Sequence, residues 1–292
     1  MAAVPEGHFE LDGFLFGGSG AGPVYVKRYD TGVAEWLSQD ADSPTGNRRF
    51  FGSDQLMGPT WTFEFNIRRD DTAAGALSAL GQLMTSWRAR SVRSTPGALS
   101  VLRYTRGGRT RRVYGRPRRF EYDPNRTLRN GMLTASAEFV SVDPWHYDDV
   151  ASTAEIRLLP NNSSGGFVFP AVFPMISTPG TEQFGTVINT GTEDTPLTIQ
   201  LLGPGTDMGV EFDDKEFTVR STLAFDQDIV LDGWEGTVRR NDGAELHGSL
   251  NRKARLTELM LKPGSTSFRL KGITTSASAR AVLTWRNANP QL

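Results

Sequence analysis

A chain of 292 residues that is 38% hydrophobic, with 17 Phe and 31 Gly, is long enough for about two domains and has the makeup of a turn-rich globular protein rather than a disordered one. It has no cysteine, which excludes a disulfide framework and thiolate chemistry, and no run approaches the ~20 apolar residues of a membrane helix, so no membrane insertion is expected. The formal net charge is only −1, but that near-balance conceals a steep segregation of charge along the chain.

The first residues, MAAVPEGHFEL, carry neither a basic segment nor an apolar one after it and do not read as a secretion signal. HFELDGFLFG, PVYVKRY and PTWTFEFNIRRDD alternate apolar and polar residues at period two, which predicts strands, with Trp61, Phe63, Phe65 and Ile67 on one face. GGSGAG at Gly17 to Gly22 resembles a phosphate loop only superficially. It leads into a strand, and no Lys-Ser/Thr pair follows, so it reads as a flexible loop. From Asp71 to Arg90, Leu77, Leu80, Met84 and Trp87 recur at helical spacing, with Asp70, Asp71 or Thr72 as the N-cap.

The most informative segment comes next. Between Arg88 and Arg129 lie 13 arginines, no lysine and two acids, Glu121 and Asp123, so this span carries +11 against −12 for the rest. ALSVLRYTR, Gly107-Gly108 and RTRRVYGRPRRFEYD read as two strands about a glycine turn, because paired glycines supply the positive φ of tight hairpins. A cationic β-arm is the expectation. Guanidinium groups bind carboxylates and phosphates in a bidentate manner and tolerate interface burial. With few interleaved aromatics and no RNA- or DNA-binding motif, the arm points to protein contact through Arg103, Arg106, Arg109, Arg111, Arg112, Arg116, Arg118 and Arg119.

GMLTASAEFVSVDPWHYDD resumes a strand and stops near Pro144, which sets a boundary at about Val150: domain one is residues 1–150 and domain two residues 151–292. WHYDD groups an indole, an imidazole and a phenol with carboxylates. Such a cluster fits sugar stacking through Trp145 and Tyr147, and it equally fits aromatics closing a core at a domain junction. After the loop Asn161 to Gly166 and the proline-bearing FVFPAVFP come short strands at close spacing: FGTVINTG, PLTIQLLG, GVEFDD, KEFTVRS, DIVLDG, GTVRRNDG, ARLTELMLKPG, STSFRLKG and ARAVLTWR. That rhythm predicts a jelly-roll β-sandwich. Gly203 to Glu235 holds nine acids against Lys215 and Arg220, so one chain carries both halves of a charge-complementary contact.

No set of residues marks a reaction. His8, His146 and His247 are far apart, the acids Asp226, Asp228 and Asp232 follow strand alternation rather than a calcium-loop spacing, and the sequons at Asn125 and Asn161 have meaning only on a secretory route. The expectation is a non-enzyme with no catalytic residue, cofactor or metal site.

The series PTWTFEFNIRRDD, ALSALGQLMTSWRA, LRYTRGGRTRRVYGRPRRF and AEFVSVDPWHYDD resembles the N-terminal domain of the distal tail (Dit) or minor tail proteins of long-tailed phages, especially those infecting actinobacteria. FVFPAVFPMI, GTVINTGTEDTPLTIQLLGPGTD and ARAVLTWR are similar to the β-sandwich that follows in them, so the resemblance spans nearly the whole chain. It implies a mainly β protein: a sandwich-like belt domain with one helix and a long hairpin, then a galectin-like sandwich. It also implies a hexameric ring at the virion tail tip, assembled in the host cytoplasm, that joins the tail tube to the hub or baseplate. Tail tube protein, hub protein and tape measure protein are the implied partners, and DNA passes through the lumen without specific binding. The alternative is a carbohydrate-binding protein that uses Trp145, Tyr147 or Trp234. The galectin sugar-binding runs HxNxR and WGxE are missing, with Trp234-Glu235 only a partial echo.

Overall fold

The structure, a computed structural model, describes residues 3–18, 22–42, 44–68, 73–123, 132–160 and 183–290. The candidate N-caps of the helix, Ser19 to Ala21 of GGSGAG, the loop Asn161 to Gly166, FVFPAVFP and the two sequons lie outside them. The chain divides into two compact units, Met1–Asp149 with Asn289–Leu292, and Val150–Ala288. The last four residues, counted above with the second domain, thus belong to the first unit.

In the first unit the principal strands are β1 (His8–Leu11), β2 (Phe14–Gly17), β3 (Val24–Asp30), β4 (Thr60–Arg68), β5 (Ser100–Arg106), β6 (Arg109–Asp123), β7 (Met132–Ser141) and β8 (His146–Asp148), with α1 (Ala73–Arg88) and the short α2 (Arg90–Ser94) between β4 and β5. The sheet runs β7-β4-β3-β2-β1-β5-β6-β8, and β6 pairs again with β7, so seven strands close into a barrel. Closure depends on the length of β6. Residues 109–115 pair with β5, and residues 115–123 pair with β7. Gly115 sits at the changeover, where a Cβ would lie 2.2 Å from the Val140 carbonyl oxygen, so no larger residue fits there without parting the strands.

Strand β4 follows its alternation, burying Trp61, Phe63, Phe65 and Ile67. Against them α1 lays Ala76, Ala79, Leu80, Leu83 and Trp87. This is a corrected face: Leu80 and Trp87 point inward as the spacing predicts, but Leu77 is half-exposed and Met84 only partly covered. The alanines decide it, because their small side chains bring the helix close to the aromatic sheet. Trp87 packs among Phe16, Phe63, Phe65 and Phe120 with ring centroids 5.8–6.5 Å apart.

The second unit is a sandwich of antiparallel sheets. Its strands are β9 (Ser152–Arg157), β10 (Phe184–Asn189), β11 (Thr198–Leu202), β12 (Gly205–Phe212), β13 (Lys215–Thr218), β14 (Asp228–Asp232), β15 (Thr237–Arg240), β16 (Gly264–Ile273) and β17 (Arg280–Trp285). One sheet runs β9-β17-β11-β14-β15, the other β10-β16-β12-β13. Ile199, Leu201, Leu231 and Leu283 of the first share a core with Val210, Phe212, Phe217, Phe268 and Leu270 of the second. ARLTELMLKPG is not a strand throughout. Leu256–Glu258 forms a 3-10 turn whose Leu256 is buried, leaving a two-residue strand at Met260–Leu261. The mainly β fold, with one long helix and a long hairpin in the first domain and a sandwich in the second, is the one the sequence leads to.

Candidate assembly surfaces

The arginine hairpin folds as its sequence predicts, in register Arg106↔Arg109, with Gly107 and Gly108 at φ 61° and 72°. The Glu6 carboxylate closes the turn by accepting both glycine amides at 2.7 and 3.0 Å. It is not a free arm, however. It is barrel wall, held by β1 along β5 and by β7 and β8 along β6.

That placement corrects the assignment of three arginines to intermolecular contacts. Arg103 and Arg112 lie on the same face of paired strands and are buried within their own chain. Arg103 donates to both Asp149 carboxylate oxygens' side at 2.8 Å (Nε to Oδ1) and 2.6 Å (Nη2 to Oδ2), and to Glu10 Oε1 at 2.8 Å. Arg112 donates from Nη2 to Asp149 Oδ1 at 2.7 Å and to the Asp149 carbonyl at 2.8 Å. Burial pushes the Asp149 carboxyl up, but the hydrogen bonds from the two arginines outweigh it and hold the group below the ordinary carboxylate range. Arg111 is buried on the opposite face, opposite Tyr104 in the strand register, and its Nε and Nη1 have no hydrogen-bond partner among the described residues. Sequence reading could not see this, because Glu10 and Asp149 lie 93 and 46 residues from Arg103 and only the strand order brings them in.

Arg116 is partly buried and donates to the carbonyls of Ala98 and Thr95. Arg106, Arg109, Arg118 and Arg119 remain exposed, Arg119 beside Glu121 at 2.6 Å. Arg93 donates to the carbonyls of Pro117 and Arg118, which fixes α2 beside β6.

The glycan candidates fare differently. Tyr147 is buried, its hydroxyl donating to Asp143 Oδ2 at 2.8 Å and its ring edge-on to Tyr114, so no sugar can stack on it and that assignment is withdrawn. Trp145 and Trp234 are partly buried and belong to different units. His146 shares a 2.6 Å hydrogen bond with the Tyr104 hydroxyl beside Trp61. Of the two readings of WHYDD, the core-closing one describes His146 and Tyr147. Among the described residues no group of three His, Cys, Asp or Glu side chains could hold a metal ion.

This cluster makes the pH response specific. Burial raises Asp143 to about 6, against the hydrogen bonds from Tyr147 and the Trp145 amide. Burial, helped by Arg111, lowers His146 to about 4. A carboxyl raised on folding binds its proton more tightly in the native state, so its contribution to stability falls as pH rises from about 4 to about 6. A histidine lowered on folding acts oppositely, its contribution rising with pH between about 4 and about 6.5. The two slopes oppose each other in the shared window. Asp143→Asn removes the falling one, and urea midpoints of the variant are expected to climb more steeply than wild type from pH 4.5 to 6. Parallel profiles would show that Asp143 does not titrate as its burial requires.

One surface feature has no counterpart in the sequence reading. Between β3 and β4 the chain runs out and back as a narrow ribbon, pairing Trp36↔Leu56, Leu37↔Gln55, Ala41↔Phe50 and Asp42↔Arg49. Val33, Trp36, Leu37, Phe50, Phe51 and Met57 are all exposed on it. Its short apolar steps lack a sustained period of two, which is why the strand pattern does not reveal it.

No family model matches this sequence, and no curated protein does. Solved structures do match. The Dit protein of phage SPP1, described as a paradigm of the hub adsorption apparatus in phages infecting Gram-positive bacteria, superposes with a TM-score of 0.62 over 95% of this chain and 97% of its own, at 12% identity. A chain of the phage P2 baseplate in its activated conformation with Ca gives 0.58 over 96% and 97%, at 11% identity. The corresponding baseplate with Sr gives 0.56 with the same coverage and identity. Likeness at such identity is likeness of fold, and it extends through both units in order. The chain has the fold of the phage Dit proteins, the family that its residue series resembles.

Proposed function

We propose that this protein is a structural component of a phage tail tip, six copies of which form a ring joining the tail tube to the hub or baseplate. The observation that carries the reading is coverage: the likeness to SPP1 Dit takes in 95% of this chain and 97% of that one, barrel and sandwich together, with neither domain left over. On this reading the protein acts by position rather than catalysis. Tail tube, hub and tape measure proteins are its neighbours, and the virion tail is its place.

A closed ring of identical subunits requires head-to-tail, heterologous contacts. In our reading the first unit supplies most of them, and Arg106, Arg109, Arg118 and Arg119 face neighbouring subunits rather than the lumen. Each phosphate neutralised there would add a salt-dependent binding term and retard DNA passage, whereas arginines opposite carboxylates fix register between proteins. Cryo-electron microscopy of assembled tails is expected to show this chain as a sixfold ring at the distal end. One copy or three copies per tail, or a location along the shaft, would refute the proposal.

A further inference from the structure

We propose that the barrel interior of the first unit contains a binding site for one small inorganic anion, such as a halide, received by the Arg111 guanidinium beside Tyr104, His146 and Trp61. The inference concerns the barrel itself and is independent of the ring reading.

The register puts Arg111 inside. On β5 the core residues Leu102 and Tyr104 share one face, and on β6 Val113 and Arg111 stand directly opposite them. Residues directly opposite in an antiparallel pair lie on one face of the sheet, so the guanidinium enters the interior that Leu102, Tyr104 and Val113 help to fill. Arg111 is only 4% exposed, and arginine is almost never buried to this degree unless it is paired. Arg103 and Arg112, on the other face, follow that rule through Glu10 and Asp149. Arg111 departs from it, since its Nε and Nη1 are enclosed with no acceptor among the described residues.

The groups around it supply no counter-charge. The Tyr104 hydroxyl and His146 Nδ1 are engaged with each other at 2.6 Å. Trp61 packs on both, with ring centroids 5.4 and 5.7 Å away, and its Nε1 is a further buried donor with no acceptor among the described residues. Burial, helped by Arg111, lowers His146 to about 4, so the imidazole is neutral at pH 7. Burial raises Tyr104 to about 12, against the positive charges of Arg111 and Arg106, so the phenol is neutral too. Asp148 stands opposite Arg111 in the register of β6 and β8, yet its carboxylate is not hydrogen-bonded to Nε or Nη1. A cation enclosed without a counter-charge is strongly disfavoured, and a buried donor without an acceptor loses its hydration for nothing. Water would satisfy the donors and leave the charge. An anion satisfies both, and the enclosure of Arg111 restricts it to a small one, which rules out a phosphate ester or nucleic acid.

Bromide is the probe, because it scatters anomalously. Crystals of the full chain grown in sodium gluconate and soaked in sodium bromide are expected to show an anomalous peak within hydrogen-bonding distance of Arg111 Nε or Nη1. In solution, with gluconate exchanged for bromide at constant ionic strength, the wild-type thermal midpoint should rise by about 3–6 °C for each tenfold increase above the dissociation constant. Arg111→Met should lose that rise, and Arg111→Lys, which keeps the charge with fewer donors, should retain a weaker one. A map without the peak, an ordered water in its place, or a carboxylate of the chain such as Asp148 paired with Arg111 would overturn the inference. So would equal bromide responses in wild type and Arg111→Met, or a peak with no response in solution, which would mean binding at crystal concentration only. The map and the wild-type midpoint need no variant, so together they decide the case in which Arg111→Met does not fold.

Discussion

Replacing Asp149 with alanine is expected to destabilise the first domain by about 3–5 kcal/mol, the cost of breaking a buried ion pair from one side. Asp149 is the shared acceptor of two guanidinium groups, Arg103 on β5 and Arg112 on β6, whose side chains are only 4% and 8% exposed. Removing the carboxylate takes from Arg103 its bidentate acceptor, with the Glu10 contact remaining, and takes from Arg112 its charged partner. Neither can reach water without opening the barrel wall, so the variant loses the anion that two desolvated cations share. Against a total stability of typically 5–15 kcal/mol, that is enough to depopulate the fold. Asp149→Asn keeps the shape and one acceptor oxygen and should lose less. Urea unfolding followed by tryptophan fluorescence gives the measurement, because four of the six tryptophans, Trp36, Trp61, Trp87 and Trp145, belong to the first unit. A loss below about 1 kcal/mol would mean that the network behaves as a solvated surface cluster. The carboxyl is held below its ordinary range, so its contribution is fully present above the unfolded value near pH 4 and is lost as pH falls through the native one.

Trp87→Ala should cost a similar amount, about 3–5 kcal/mol, by a different mechanism. The indole is 1% exposed and fills the space between α1 and the aromatic rows of β2 and β4, and its Nε1 donates to the Glu138 carbonyl at 3.1 Å. Alanine leaves a cavity among Phe16, Phe63 and Phe65 that rigid strands cannot collapse to fill, and an unsatisfied carbonyl beside it. Trp87→Phe retains most of the packing and loses chiefly the hydrogen bond, about 1 kcal/mol. If both variants lost the same small amount, α1 would not be anchoring the sheet, and the helix would be an accessory on the barrel surface.

Much of this was legible in the chain. The alternation Trp61, Phe63, Phe65, Ile67 is set by the period of a strand, and the Gly107-Gly108 turn by the positive φ it requires, so both are read correctly without knowing any neighbour. The helix was visible from its spacing, but its inward face was not. Leu77 is as apolar as Leu80, and only the close approach allowed by Ala76 and Ala79 selects between two overlapping stripes. The same limit governs the surface ribbon, whose apolar residues lack the sustained period of a strand and are seen to be paired and exposed only in the folded chain.

The sequence by itself determined what depends on local chemistry: a mainly β chain with one long helix, a hairpin at paired glycines, and a change of character near residue 150. It also showed that 13 arginines crowd one span, because charge is additive along a chain. Only the tertiary structure decided which of those charges are buried and which stay at the surface. Closure of the barrel brings Glu10 and Asp149 from distant strands against Arg103 and Arg112, and the low dielectric of a buried wall makes that pairing obligatory. Four arginines of the hairpin are left at the surface, and the exposed apolar ribbon lies elsewhere in the chain, since register and strand order, not composition, choose what a side chain meets.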